Sequence, residues 1–348
     1  MNRLTLAKNL EAVGKPTETW ESPDGARVLV LPYGGRVLGL FAPGDEENFF
    51  WTHSSLGQID SARKFYEDAH WHNSGGERTW LAPEVDFFFP DYPKMDRYWQ
   101  QRELDPGRYQ VSRNNGVLSW RNRATLAVSR TGQKVDLEIT KALAPALNPL
   151  RYDQHGRWED LKFAGYTLRT SLQLTGADRP PYIGIWQLAQ MPHGGDMLVP
   201  TIFQSEPKLY MGKIDAADLI VSEHLVRYKM RAPGEHKLGV RAIALTGRAG
   251  YMYGHGREAS LIIRNFNVNP SGEYVDTPLQ EPDNFGFAFQ ACNVNSGLGE
   301  FSELEYHVPA IGSRTGQALS EDESQLWAFR GPESVVRSVA QHLLTSEV

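Results

Sequence analysis

With 348 residues, a formal net charge of -6, 41% hydrophobic and 22% charged residues, the chain can bury a large core and has an ordinary globular composition. It has no run of about 18 apolar residues to cross a bilayer, and its scattered Lys and Arg form no basic stripe, so neither a membrane nor a nucleic acid is an expected partner. The single cysteine, Cys292, excludes an internal disulfide framework and a thiolate metal site, and its residue type predicts a small buried hydrophobe.

The opening Met1 to Lys8 is charged but lacks an apolar core of signal-peptide length, so a cytoplasmic chain is expected unless a secretion signal was trimmed. Val28 to Phe41 holds two short apolar runs around Pro32-Tyr33-Gly34-Gly35, which predicts a hairpin. Asn48-Phe-Phe-Trp-Thr-His53 reads as a further strand, and a helix is expected from about Ser55 to Tyr66. Phe87 to Pro106, rich in Pro, Asp and aromatics, reads as a long loop of the kind that carries function.

Strict alternation in Lys134 to Thr140, Tyr166 to Leu174 and Leu238 to Leu245 predicts half-buried antiparallel strands. Tyr182 to Gln190, Glu258 to Phe266 and Ala288 to Val294 repeat the pattern. Gly250-Tyr-Met-Tyr-Gly-His-Gly256 lacks dinucleotide-loop spacing and reads as a hairpin connection; with no Gly-x-Ser-x-Gly element present, no cofactor is expected. Pro332 to Leu344 places Val335, Val336, Val339 and Leu343 on one helical face and should cover a sheet. No linker divides the chain. The expectation is an all-β protein, one domain over 1–348, built as a large antiparallel β-sandwich with few peripheral helices.

The densest polar stretch is His70-Trp-His-Asn-Ser-Gly-Gly-Glu-Arg-Thr-Trp-Leu-Ala-Pro-Glu84. On a strand, His70 and His72 would share a face with Cα atoms about 6 to 7 Å apart, near enough for a common ligand. A third metal ligand at suitable spacing is missing, so no metal is expected. Arg78 offers a planar fork for hydroxyls, and Trp71 and Trp80 offer flat apolar faces for a sugar ring. The alternative is an internal ion-pair network of Glu77, Arg78 and Glu84 with both tryptophans in the core.

Gly75 to Glu84 resembles the Gly-Gly-x-Arg-x-Trp-x-Ala-Pro-Glu signature of uncharacterised bacterial branches of the galactose mutarotase-like (aldose 1-epimerase) superfamily. The hairpin at 28–41, the Ile185 to Thr201 segment with its Pro192-His-Gly-Gly195 turn, and Asn293 to Ala310 resemble other islands of the same branches, in the same order. The resemblance implies a supersandwich whose polar sheet face forms a concave sugar cleft. It further implies a glutamate acting as base towards the anomeric hydroxyl and a histidine acting as acid towards the ring oxygen.

In Phe301-Ser-Glu-Leu-Glu-Tyr-His307, alternation puts Glu303, Glu305 and His307 on one face. From spacing alone this could be a solvated sheet face. Under the resemblance, the base falls to Glu303 or Glu305 and the acid to His72 or His193, while Arg78, Glu84, His70, Trp80 and Gln190 contact substrate. The Asn-x-x-His-Gly block of the epimerases is not reproduced. The expected ligand is a mono- or oligosaccharide handled by an aldose 1-epimerase-like isomerase. Alternatives are a non-catalytic carbohydrate-binding protein, or a polysaccharide lyase or glycosidase on the same type of fold. His53, His155, His224, His236, His255 and His342 stand apart and read as ordinary residues.

Overall fold

The protein is described from a computed structural model, which covers residues 1–153, 158–176, 180–255 and 257–348; His155 lies outside them. Two antiparallel sheets of nine and ten strands face each other, as the alternation predicts. The nine-stranded sheet runs, edge to edge, through Glu18–Glu21, Arg27–Leu31, Arg36–Phe41, Glu77–Ala82, Gly184–Pro192, Gly299–His307, Phe287–Ser296, Gly234–Arg241 and Lys208–Met211. The centre of the ten-stranded sheet is formed by Glu258–Asn265, Leu319–Pro332 and Lys162–Leu174.

Alternation sorts each strand of the first sheet into two faces. Val28, Val30, Val37, Ala189, Met191, Phe289, Ala291, Leu304 and Tyr306 point inward and pack on the second sheet. Polar pairs are also sealed there: Glu77 meets Arg264 at 2.8 Å and also accepts from the Tyr166 hydroxyl, so this glutamate belongs to the core. The opposite face is left for the cleft.

Helices cover what the sheets leave bare. Arg3–Ala12 and Ile59–Glu67 bury Leu6, Leu10 and Ala62 against Leu29, Leu31 and Leu38 of the hairpin. The C-terminal helix Glu333–Leu343 lays Val336, Val339, Ala340 and Leu343 over Leu261, Ile263 and Phe329 of the second sheet, close to the expected span. The helix expected from Ser55 is split into a 3-10 turn, Ser54–Gly57, and the α-helix from Ile59.

Several sequence expectations are corrected. Asn48 to His53 forms no ladder, because the Asn48 side chain bonds Leu40 N and Leu38 O in place of a partner strand. Gly250 to His255 is strand rather than connection, paired along its whole length with Glu258–Asn265. Leu238 to Leu245 breaks at Arg241, where a 3-10 turn, Ala242–Ala244, begins. His70 and His72 lie on irregular backbone, so the geometry of a shared strand face does not apply.

Candidate functional site

The register of five strands builds the cleft. One row across the sheet reads Gln190, Glu303, Cys292, Lys237; the next reads Arg78, Leu188, Glu305, Gln290; a third reads Trp80, Trp186, His307. Since neighbouring rows on one face are two residues apart, Glu303, Glu305 and His307 are carried to the same side. The glycines before the Arg78 strand make the approach possible. Gly75 (φ 96°) and Gly76 (φ 71°) press against the carbonyls of Trp51 and Val37, where any Cβ would collide with backbone.

A cleft of about 510 Å³ opens over these rows. Its walls include Trp71, Trp80, Trp186, Phe89, Tyr98 and Leu298, and its floor holds Arg78, Glu84, Lys237, Glu303 and Glu305. Arg78 Nη2 lies 2.9 Å from Glu303 Oε1, which also accepts from Gln190 Nε2 at 2.9 Å. Lys237 Nζ lies 3.1 Å from Glu305 Oε2 and 4.0 Å from Glu84 Oε2. Trp186 Nε1 donates to the same Glu305 oxygen at 2.8 Å, and the Tyr98 hydroxyl donates to Glu84 at 2.9 Å. The guanidinium of Arg78 stacks 4.1 Å over Trp80, and Lys237 sits 4.5 Å over Trp186.

Three carboxyl groups thus face two cations, and one carboxyl is left without a counter-charge. Burial, with smaller pushes from Glu303 and Glu84, outweighs the pull of Lys237 and leaves Glu305 raised to about 7. Glu84 is raised as well, by burial and by Asp276 against the pull of Lys237. Burial works against the charge on Lys237, but Glu305 and Glu84 outweigh it and hold the ammonium protonated beyond its usual range. Burial keeps Cys292 a thiol.

Polar atoms without a protein partner surround this floor. They are Asn73 Oδ1 and Nδ2, Arg78 Nε and Nη1, Trp71 Nε1, Gln190 Oε1 and Glu305 Oε1. Such groups, both donors and acceptors, cost free energy unless a polar ligand meets them.

Of the residues expected at the site, Arg78, Glu84, Trp80, Glu303 and Glu305 line the cleft, and Gln190 is bonded to its floor through Glu303. His70 reaches only the rim, its side chain 90% exposed and paired with Asp68. His72 lies behind the Trp71 wall, bonded to the Tyr33 hydroxyl at 2.7 Å and the Asp68 carbonyl at 3.0 Å, and burial lowers its pKa. His193 is bonded at 2.9 Å to Asn293, which alternates with the cleft-facing Cys292 and so directs His193 to the other side of the sheet. The histidine pair therefore does not share a ligand with Glu303 and Glu305. The idea of a solvated face for 301–307 also fails: Glu303, Glu305 and His307 are 6%, 0% and 1% exposed.

Lys237, Trp186, Asn73 and Tyr98 were not expected at the site. Extending the alternation of Leu238 back by four residues would have put Lys237 and Glu235 on one face. Among the described residues, Cys292, Glu303 and Glu305 bring potential metal-ligand atoms within 4.8 Å of one another, but the carboxylates are already engaged by Arg78 and Lys237, and this does not suit a further cation.

Two facing antiparallel sheets with few peripheral helices give the chain the fold of a galactose mutarotase-like β-sandwich. Over residues 7–348 the chain matches, and belongs to, a family of unknown function (DUF6786). Among solved structures it is similar to a provisionally assigned aldose 1-epimerase from Escherichia coli K12, at 11% identity and a TM-score of 0.53, over 90% of this chain and 99% of that one. It is also similar to a galactose 1-epimerase from Lactobacillus acidophilus NCFM, at 12% identity and a TM-score of 0.43, over 91% and 95% of the two chains. The first likeness carries the fold. No curated protein sequence matches the chain.

Proposed function

We propose that the cleft binds the reducing end of a sugar and moves protons at its anomeric centre, an aldose 1-epimerase-like isomerisation with carboxyl groups as both acid and base. The observation that carries this reading is the crowding of three carboxyl groups around two cations: Glu305, raised to about 7 although Lys237 pairs with it, exchanges a proton at neutral pH beside the ion-paired Glu303. Fold likeness to a provisionally assigned aldose 1-epimerase supports the same chemistry. The tryptophan walls suit the apolar faces of a pyranose, and the unpartnered donors and acceptors around Asn73 and Arg78 suit its hydroxyls.

In the proposed step Glu303 accepts the proton of the anomeric hydroxyl as the bond from the anomeric carbon to the ring oxygen breaks. Glu305 gives its proton to that ring oxygen. The two oxygens concerned share one carbon, and carboxyl groups with ligand atoms within 4.8 Å of each other can reach both. Rotation of the freed aldehyde and the reverse transfers close the other anomer. The acid is then a carboxyl in place of the histidine implied by the resemblance.

Binding without turnover is the second reading, favoured by the ion pairs that Glu303 and Glu305 both make, since pairing weakens a base. Polarimetry on freshly dissolved α-aldoses separates the two. Acceleration of mutarotation supports the enzyme, and ligand-induced thermal stabilisation without acceleration supports the binder.

A further inference from the structure

A second cavity of about 210 Å³ adjoins the cleft. His70, Trp71, Tyr98 and Gln100 line both, so the two are continuous around the Trp71 and Tyr98 side chains. Beyond that junction the second cavity is walled by Tyr33, His72, Trp99, Arg102 and Asp105. We propose that it is a second sugar subsite, and that the ligand is a reducing disaccharide or longer glycan whose reducing residue occupies the main cleft.

This assignment rests on the reading of the main cleft as a sugar site. The main cleft alone has the volume of a complete small-ligand pocket, so the adjoining space receives whatever continues past the first ring. Its surfaces have the needed chemistry. Trp99 is 43% exposed and presents an indole, while Trp71 forms the shared wall and keeps an unpartnered Nε1.

Arg102 gives one N–H to the Ala69 carbonyl at 2.6 Å and has further donors on the same planar fork for hydroxyls. The carboxylate of this cavity is already matched, which leaves the Arg102 fork as its donor for a ligand. Asp105 is paired with Arg36 at 3.1 Å and accepts from Trp80 Nε1 at 3.0 Å. Both ring nitrogens of His72 are engaged, so this histidine holds the wall in place.

The test is calorimetric titration of the full chain with glucose, galactose, maltose, cellobiose and lactose, repeated on Trp99→Ala and Arg102→Ala. Neither residue lines the main cleft. The expected result is at least about tenfold tighter binding of one disaccharide than of its constituent monosaccharide, lost in Trp99→Ala with monosaccharide affinity unchanged. Equal affinity for mono- and disaccharides in the wild type, or equal weakening of both classes by Trp99→Ala, overturns the subsite. Tighter disaccharide binding without mutarotation keeps the subsite and removes the enzymatic reading. Binding of no sugar in a folded protein overturns both.

Discussion

The Lys237 ammonium lies 3.1 Å from the Glu305 carboxylate, across the intervening strand that carries Cys292, with both side chains almost wholly buried. The geometry makes each group the condition for burying the other. Removing one partner of a buried pair strands the other charge, at a cost of about 3 to 5 kcal/mol. Lys237→Met should therefore lower the unfolding free energy by about that amount in urea titrations at pH 8. The double variant Lys237→Met, Glu305→Gln should recover much of the loss, because no uncompensated charge is then left in the floor.

Glu305 also predicts a pH dependence of stability. Its folded pKa, about 7, stands above the ordinary 4.5, so the folded state holds the proton more tightly than the unfolded one. The resulting stabilisation is complete below about pH 4.5 and is lost as pH rises through about 7. Compared from pH 5 to 8, the denaturation midpoint of wild type should fall relative to that of Glu305→Gln. His307, lowered by burial to about 4, has the opposite sign: its contribution is present above about pH 6.5 and fades as pH falls through 4. It is one of the slopes that remain in Glu305→Gln, with Asp322, raised by burial to about 6, acting in the opposite sense.

The inward pair tests whether the two faces of the first sheet are functionally separate. Arg264 and Glu77, 2.8 Å apart and 1% and 0% exposed at their side chains, lie between the sheets. Arg264→Met should destabilise by about 3 to 5 kcal/mol. Sugar affinity of the folded protein, measured below its unfolding transition, should stay at the wild-type value.

Histidine substitutions separate this site from the one implied by resemblance. His193 faces Asn293 on the far side of the sheet, so His193→Asn should change mutarotation by less than about twofold, the size of a peripheral effect. A large loss would return the acid role to an imidazole.

Much of the fold was legible because alternation, turn glycines and apolar runs are local signals. The hairpin, the Lys134 and Tyr166 strands and the terminal helix follow from them directly. Asn48 to His53 misled because Phe49 and Phe50 are buried in the core while the segment's backbone bonds are scattered over Leu40, Gln190, Ser74 and Gly76 rather than run along one partner strand. At the site, Glu303 and Glu305 were readable from one strand, and Arg78 and Glu84 from one motif. Lys237 was not, because its position opposite Cys292 is set by pairing between strands far apart in sequence. His72 and His193 were named from the resemblance, and His72 also from its spacing to His70; their bonds to Tyr33 and Asn293 could not be read from either.

The central claim, that carboxyl groups in the cleft move protons at an anomeric carbon, is tested most directly by polarimetry of freshly dissolved α-aldoses and α-anomers of reducing disaccharides. Wild type should accelerate the approach to equilibrium. Glu303→Gln and Glu305→Gln should each slow the catalysed rate by at least about a hundredfold while sugar binding persists, the loss usual for a general acid or base. No acceleration by wild type on any sugar it binds, or unchanged rates in both variants, would contradict the account.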